Sequence, residues 1–388
     1  MIKIIGHPFS SIGMGEHPRA IFQSLLSLGV NAQLVNVYPE YTGDLGTNSY
    51  KRFVQHASFR LSEEINIFAI NADEVDGALS RLFSRGDNKQ RFKSAYNIIY
   101  PAWELSKFPE IYYRALRDFD EVWTPSAFVQ QSIAGSNTRN MPVVNMPLAV
   151  DIADPLFYRR TDLQMSEDAF VFSFFYSNSS YVQRKNPELI LRAFDMLVNK
   201  LPDLDLQLYI KANPSGAEKW QCLPELEALV EKCDNRNQVK IVVEEWSPDK
   251  VYNMLRLSDA FISLHRSEGF GRGMAEAMFF ETPVICTGYS GNMDFCNSGN
   301  AFLVEHELVA LQAGDYPHWK DQVWAEPSLE SACLQMEAVI FNEKLKAQKI
   351  KTAKSELMRN NSFAATGKRY LERLLAIQAT KAPTASAA

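Results

Sequence analysis

Short apolar segments that alternate with helical segments are the feature that most limits how this chain can fold. The first of them, Ile2–Ile5, leads through a turn rich in glycine and serine to residues 16–28, where apolar side chains recur at helical spacing. The same alternation continues through both halves of the sequence. It is typical of parallel sheets covered by helices on both faces, because parallel neighbours need a crossover connection. The pattern predicts an α/β fold in which a doubly wound sheet is formed twice.

The predicted elements divide the chain into two similar halves. Strands are predicted at residues 2–5, 32–37, 65–70, 96–100, 121–123 and 143–145, and then at 170–175, 206–210, 239–243, 260–264 and 283–286. Helices are predicted at 16–28, 186–198, 218–233, 248–257 and 272–281, and the region 328–375 is predicted to be largely helical.

Two domains follow from the length as well as from this division, since 388 residues exceed one ordinary core. We predict an N-terminal Rossmann-like domain over residues 1–155 and a C-terminal Rossmann-like domain over residues 156–361. A C-terminal helix at about 362–378 is expected to pack back on the first domain. Residues 379–388 are small and lack aromatic side chains, and we predict a disordered tail there.

Composition excludes several classes of protein. The formal net charge is −6, whereas proteins that bind nucleic acid carry strongly basic surfaces. The sequence has no run of apolar residues long enough to span a membrane, and its start does not resemble a signal peptide. The five cysteines form no CxxC pair and are expected to be reduced. We therefore expect a soluble cytoplasmic protein with no nucleic-acid partner.

A glycine-rich loop after a predicted strand carries two carboxylates. Glu268 precedes the loop and Glu276 lies about one turn into the following helix, with Gly269, Gly271 and Gly273 between them. Glycine lets the backbone approach a ligand closely, and loops at the carboxyl ends of parallel strands are where such sheets bind ligands. Two separated carboxylates indicate acceptors for hydroxyl groups rather than a metal cluster.

This loop, with the preceding SLHRS and the following PVICTGYSGN, resembles the signature of family 4 retaining glycosyltransferases, which have the GT-B fold. Further segments resemble the same family or one branch of it: residues 184–187 (RKNP), 103–104 (WE), 120–126 (DEVWTPS), 71–73 (NAD) and 316–327. The resemblance extends over most of the chain. It implies two Rossmann-like domains that face each other across a cleft.

The resemblance implies a nucleotide-sugar donor and a role for each matching residue. Glu276 would hold the ribose hydroxyls and Glu268 would contact the sugar. Lys185, with Arg184 beside it, would neutralise the departing diphosphate, and such charge stabilisation is commonly the largest catalytic contribution. Other expected donor-binding residues are Gly269, Phe270, Gly271, Gly13 and Gly15. No metal or other cofactor is expected.

Two departures from the family pattern affect the site. The family often has an arginine five or six residues before the phosphate-binding lysine, where this chain has Ser179 and Ser180, so we expect Arg184 to substitute. The usual histidine near the donor sugar is also missing, and Glu104 is expected to orient the acceptor or take its proton. Expected acceptor contacts are Asn71, Asp73 and His7.

The predicted function is retaining transfer of a hexosyl group from a UDP- or GDP-sugar to a glycan or glycolipid acceptor. By family analogy the acceptor belongs to a lipid-linked surface polysaccharide, which would bring the protein into peripheral contact with the inner face of the cytoplasmic membrane. Two alternatives remain open: a nucleotide-sugar epimerase of the same fold, and a catalytically silent subunit that binds sugar nucleotides.

Each candidate residue also has a purely structural interpretation. Lys185 and Glu276 would then be solvated helix residues, and Gly13 and Gly15 a tight turn. A dinucleotide fingerprint is disfavoured, because its third glycine is replaced by Pro18.

Other polar and aromatic residues have the same ambiguity. A polar turn would explain Asn71 and Asp73, and packing would explain His7 and His265. Asp294 is a candidate helix cap, and Trp103 and Trp123 are expected in the core. Arg272 points either to the donor phosphates or to solvent, and the sequence does not decide between them.

Overall fold

Two parallel sheets of six strands each dominate the computed structural model, which describes residues 1–10, 13–38, 40, 48–54, 59–153, 155–214 and 222–381. Every strand pair in both sheets is parallel. The predicted α/β class with two Rossmann-like sheets is confirmed. In the described part of the chain, no helix combines the length and apolar character that crossing a bilayer requires.

The first sheet has the strand order β2-β1-β3-β4-β5-β6. Its strands are β1 (Ile2–Gly6), β2 (Ala32–Asn36), β3 (Ile65–Phe68), β4 (Tyr96–Ile99), β5 (Glu121–Thr124) and β6 (Val143–Asn145). The helices of this half are α1 (Gly13–Leu26), α2 (Val75–Phe83), α3 (Asn88–Ser94), α4 (Glu110–Ala115) and α5 (Ala127–Gly135). The central strands β1 and β3 are buried along their whole length, which explains why they read as unbroken apolar runs.

The second sheet has the order β12-β11-β10-β7-β8-β9. Its strands are β7 (Phe170–Ser177), β8 (Leu206–Asn213), β9 (Val239–Val243), β10 (Ala260–Ser263), β11 (Val284–Thr287) and β12 (Phe302–Val304). The helices are α6 (Val182–Lys185), α7 (Pro187–Lys200), α8 (Cys222–Val230), α9 (Pro248–Leu257), α10 (Arg272–Phe279), α11 (Leu329–Phe341) and α12 (Glu343–Asn361). A separate antiparallel hairpin consists of β13 (His306–Ala310) and β14 (Val323–Pro327).

The last described helix, α13 (Phe363–Lys381), packs on α1 of the first half. The contact is close at Gly367, where a β-carbon would collide with the carbonyl group of Ser24. The Tyr370 ring stacks on Trp123, with the ring centroids 5.1 Å apart. Residues 379–381, the first part of the predicted tail, belong to this helix, and residues 382–388 lie outside the described residues.

A buried carboxylate anchors α13 to the first sheet. Glu121 of β5 is fully buried and accepts hydrogen bonds from the Tyr96 hydroxyl (2.9 Å) and the Trp123 indole (2.7 Å). The Arg373 guanidinium of α13 donates to both of its oxygens, at 2.9 and 2.5 Å. In this chain the DEVW segment therefore attaches α13 to the first sheet. Trp103 and Trp123 are core residues, as expected.

Contacts between the two halves fix one side of the cleft. The Ser126 hydroxyl donates to the carbonyl oxygen of Gly269 at 2.6 Å. Asp294 accepts a hydrogen bond at 2.9 Å from the backbone N–H of Ala127, the first residue of α5. Asp294 thus caps a helix, as the sequence suggested, but that helix belongs to the other half of the molecule. These hydrogen bonds join the two halves of the molecule.

Candidate active site

A cavity of about 560 Å³ lies between the two sheets and is lined by residues of both halves. Most of its second-half residues lie in the carboxyl-terminal parts of β7, β8 and β10 or in the segments that follow β7, β8, β9 and β10, where loops and helix N-termini converge. Eleven of the thirteen predicted site residues line it: Gly13, Asn71, Asp73, Glu104, Arg184, Lys185, Glu268, Gly269, Phe270, Gly271 and Glu276. The structure therefore brings together segments that are far apart in the sequence.

The other two predicted site residues are not among the described residues that line the cavity. A β-carbon at Gly15 would collide with the carbonyl group of Ser10, so this glycine permits close packing of the first turn. The buried His7 ring stacks on Tyr38 with centroids 3.9 Å apart. Its Nε2 atom lies 2.7 Å from a carboxylate oxygen of Glu74.

One end of the cavity holds a cluster of two cations and one carboxylate. The Lys185 ammonium pairs with Oε1 of Glu268, and an Arg184 nitrogen lies 3.1 Å from Oε2. Burial opposes ionisation of Glu268, which is 8% exposed, but the two cations outweigh it and lower the pKa of this carboxyl to about 2. Glu268 is therefore an anion at neutral pH with both oxygens engaged.

The two cations of this cluster differ in access to the cavity. Arg184 is almost fully buried and donates to the carbonyl oxygen of Ser267 at 2.8 Å, so it holds the glycine-rich loop. Lys185 ends α6 with 18% of its side chain exposed. The chain reverses directly afterwards, because Asn186 adopts a left-handed φ of 56° and Pro187 begins α7. This turn presents the Lys185 ammonium to the cavity.

The glycines of the loop meet two different needs. Gly271 has a φ of 90°, which a residue with a side chain adopts only under strain. A β-carbon at Gly269 would lie 2.9 Å from the Trp103 carbonyl oxygen of the other half. The loop thus passes close to the first half before α10 begins, and the first residues of α10, 272–274, line the cavity.

Glu276 has a different environment from Glu268. Its Oε1 accepts a hydrogen bond at 2.7 Å from Arg272, and another nitrogen of Arg272 lies 3.6 Å from a carboxylate oxygen of Glu16 in α1. Burial raises the pKa of Glu276 to about 7, although the Arg272 charge opposes this shift. Arg272, left undecided by the sequence, joins carboxylates of both halves.

Glu104 lies on the first-half side of the cavity. Its Oε2 accepts a hydrogen bond at 2.6 Å from the Tyr316 hydroxyl, and its Oε1 lies 4.0 Å from Arg184. Tyr316 belongs to the connection between β13 and β14, so this hairpin reaches across the cleft. Sequence reasoning assigned no role to Tyr316 beyond its place in a resembling segment.

Several cavity residues were missed by sequence reasoning. Tyr181 lines the cavity with a φ of 60°, and its ring centroid is 4.6 Å from that of Tyr316. Lys211, Asn213 and Trp246 line another part of the same cavity. The only indication of these residues in the sequence was their position, because each lies within a few residues of the carboxyl end of a predicted strand.

His265, which the sequence left as either a packed residue or a ligand, is fully buried. Its ring nitrogens lie 3.0 Å from the Ser263 hydroxyl and 3.0 Å from the side-chain oxygen of Asn292. Burial lowers the pKa of this imidazole. The packing interpretation is the one that these contacts support.

Comparison with known proteins gives a family match in the second half. Residues 172–313 match the family described as Glycosyl transferases group 1. A D-inositol 3-phosphate glycosyltransferase from Corynebacterium urealyticum is 26% identical over 144 residues, which are 37% of this chain and 30% of that relative. The chain thus matches less than a third of the length of that curated relative.

Solved structures match nearly the whole chain. Anabaena Alr3699/HepE, in complex with UDP and glucose, aligns with a TM-score of 0.69 at 13% identity, covering 97% of this chain and 99% of that chain. A glycosyltransferase from Rickettsia africae aligns with a TM-score of 0.66 at 14% identity, covering 97% and 98%. At these identities the likeness concerns the fold, and it confirms the predicted GT-B arrangement.

Proposed function

We propose that the protein is a retaining glycosyltransferase that moves a hexosyl group from a UDP- or GDP-sugar to a carbohydrate acceptor. The observation that carries this proposal is one cavity, inside a glycosyltransferase fold, that holds the Lys185–Glu268 pair, the start of α10 and Glu276. Support for a nucleotide-sugar donor comes from Anabaena Alr3699/HepE, whose structures contain UDP and UDP-glucose.

The leaving diphosphate would be stabilised at the glycine-rich loop. The Lys185 ammonium and the backbone N–H groups at the start of α10 supply positive potential in an enclosed site, where it acts more strongly than in water. Glu268 keeps Lys185 oriented and is expected to contact the sugar. Glu276, on the next turn of α10, is expected to accept hydrogen bonds from the ribose hydroxyls.

Retention of the anomeric configuration does not require a protein nucleophile in this proposal. Both oxygens of Glu268 are engaged by cations, which makes this carboxylate a poor nucleophile. We therefore favour a front-face substitution. The bond between the anomeric carbon and the phosphate oxygen breaks, the acceptor oxygen bonds to the same face, and the acceptor proton passes to the departing phosphate.

The acceptor is expected on the first-half side of the cavity, beside Asn71, Asp73 and Glu104. Burial raises the pKa of Asp73, so this carboxyl is a weaker acid than usual at the place where an acceptor hydroxyl would lie. Tyr181 and Tyr316 line the cavity nearby. Tyrosine rings offer an apolar face and a polar edge, which suits a sugar ring. A lipid-linked acceptor and independence of metal stay predictions.

A donor assay tests the proposal. UDP-, GDP- and ADP-hexoses are incubated with the protein, with and without simple glycosides, and the products are followed by proton NMR. We expect release of nucleoside diphosphate and a product with the anomeric configuration of the donor, unchanged by EDTA. An inverted product would refute retention. Epimerisation of the sugar, or binding without turnover, would favour the epimerase or the silent subunit.

A further inference from the structure

A buried lysine that forms no hydrogen bond or close ion pair with the described residues lies at the end of β8. Lys211 is 4% exposed and lines the cavity. Burial lowers the pKa of its ammonium group to about 8, although the charges of Glu245 and Glu244 oppose this shift. A buried charge without a partner destabilises the folded protein. Such a group is expected where a ligand supplies the missing acceptor.

The neighbouring residue Asn213 has the opposite deficiency. Its side-chain oxygen is buried and accepts no hydrogen bond from the described residues. Lys211 and Asn213 are two positions apart on the same strand and line the same cavity, so their side chains lie on the same face of the sheet. Together they form a donor and an acceptor that are both unsatisfied in this structure.

An aromatic wall completes this part of the cavity. Trp246 follows β9, is almost fully buried and lines the cavity. The Lys211 ammonium lies 5.9 Å from the centre of its ring. The indole N–H donates to Glu244 at 2.8 Å, which fixes the ring orientation. This part of the cavity therefore combines an apolar aromatic surface with a hydrogen-bond donor and an acceptor.

The position of Lys211, Asn213 and Trp246 relative to the second sheet indicates which part of a nucleotide would bind beside them. The cations Arg184 and Lys185 follow β7, and the glycine-rich loop follows β10. Strands β8 and β9 lie on the other side of β7 from β10. If the diphosphate binds at the β7 and β10 loops and the ribose at Glu276, the base is left with the end of the cavity at β8 and β9.

We infer that Lys211 and Asn213 select the donor by the edge of its base, Lys211 donating to a ring carbonyl and Asn213 accepting from the adjacent ring N–H. This edge is present in uracil and in guanine. The inference rests on the proposed function, because it assumes that the cavity binds a nucleoside diphosphate.

The selectivity follows from the chemistry of the ammonium group. Lysine donates hydrogen bonds and cannot accept them, whereas the asparagine amide can turn to do either. Uracil and guanine present a carbonyl oxygen where cytosine and adenine present an amino group. If a base presented an amino group to Lys211, two hydrogen-bond donors would face each other. The buried ammonium group would then still have no acceptor. Lys211 is therefore the residue that determines the choice.

Binding of UDP, GDP, CDP and ADP, measured by calorimetry, tests this inference in the wild type, Lys211→Met and Lys211→Gln. The wild type is expected to bind UDP or GDP at least about tenfold more tightly than CDP and ADP, as one well-made buried hydrogen bond to a charged group allows. Lys211→Met is expected to reduce this preference to less than about threefold. Lys211→Gln should still bind UDP or GDP and should bind CDP and ADP more tightly than the wild type does, because an amide can also accept a hydrogen bond.

Lys240→Met is the matched control. Lys240 belongs to β9, pairs with Gln164 at 2.7 Å and is not among the described residues lining the cavity. This control is expected to keep the wild-type preference. Should Lys211→Met fail to fold, as judged by circular dichroism, the Lys211→Gln profile decides.

The possible failures are distinguishable. If the wild type binds the four nucleotides equally, or if both Lys211 variants keep its preference, the inference about the base is wrong while the proposed function stands. If the wild type binds none of them at millimolar concentration, the proposed function fails with it.

Discussion

Glu268 and Glu276 are the same residue type in one short segment, yet their surroundings set opposite ionisation behaviour. Two cations lower the pKa of Glu268 to about 2. Burial raises that of Glu276 to about 7, and its one close cation, Arg272, also faces Glu16. Both carboxylates accept hydrogen bonds, but only Glu268 is fully charged throughout the neutral range. The two pKa values differ because Glu268 pairs with two cations, whereas Glu276 shares the single cation Arg272 with Glu16 of the other half.

The raised pKa of Glu276 predicts a pH-dependent cost to stability. As the pH rises from 4.5 to about 7, the unfolded chain loses this proton while the folded protein retains it. The free energy of unfolding therefore falls across this window because of Glu276, by an amount on the order of 2 kcal/mol. Glu276→Gln removes the contribution, so the variant should gain stability relative to the wild type between pH 5 and pH 8, as urea titrations at about these two values would measure.

The comparison between variant and wild type is needed because other groups titrate in the same window. Burial lowers the pKa of His17 to about 3, which gives a contribution of the opposite sign that both proteins share. A stability difference between variant and wild type that does not change with pH would show that Glu276 ionises normally.

Among individual residues, the place of Glu268, Glu276 and Lys185 at one cavity was predictable, because each belongs to a short contiguous segment that follows a predicted strand. The sequence could not place Arg272. Its two partners lie in different halves of the molecule, and no local pattern predicts which helix of one domain faces a given residue of the other.

At the scale of elements, the parallel strands were predictable because burial on both faces makes them continuous apolar runs. The hairpin of β13 and β14 was missed, since Leu308 is exposed and β13 has no fully buried position. Strands β7 and β8 extend beyond their predicted ends, and their final residues are polar or line the cavity. Cavity-lining residues such as Asn213 lie at those polar ends.

One prediction at this scale concerns how much the attachment of α13 contributes to stability. Arg373→Ala leaves the buried Glu121 carboxylate without its cation, and breaking a buried pair in this way costs about 3 kcal/mol or more. We expect Arg373→Ala to lower the free energy of unfolding by that amount in urea denaturation. Glu372→Ala, an exposed change on the same helix, is the control and should be nearly neutral. Equal effects of the two changes would show that the Glu121–Arg373 pair does not hold α13 in place.

At the scale of the whole molecule, the candidate active site is a cavity that exists only because two separately wound sheets meet. The sequence predicted both sheets and eleven of the residues that line the cavity, because ligands bind at the carboxyl ends of parallel strands. It could not predict the contacts that set the cleft, such as Ser126 with Gly269 and Asp294 with Ala127. These depend on the relative placement of two domains, which no short sequence pattern encodes.

We expect Lys185 to stabilise a leaving diphosphate in the cleft between the two halves. This role is measured by the turnover number of Lys185→Met, at saturating donor, for the nucleotide sugar that the wild type uses. Arg184 still holds Glu268 in this variant, so the fold should be retained, and Lys240→Met serves as the control. We predict that turnover falls at least about 100-fold in Lys185→Met and is unchanged in the control. Turnover within about threefold of the wild type would show that Lys185 does not have this role, since that corresponds to less than about one kcal/mol of transition-state stabilisation.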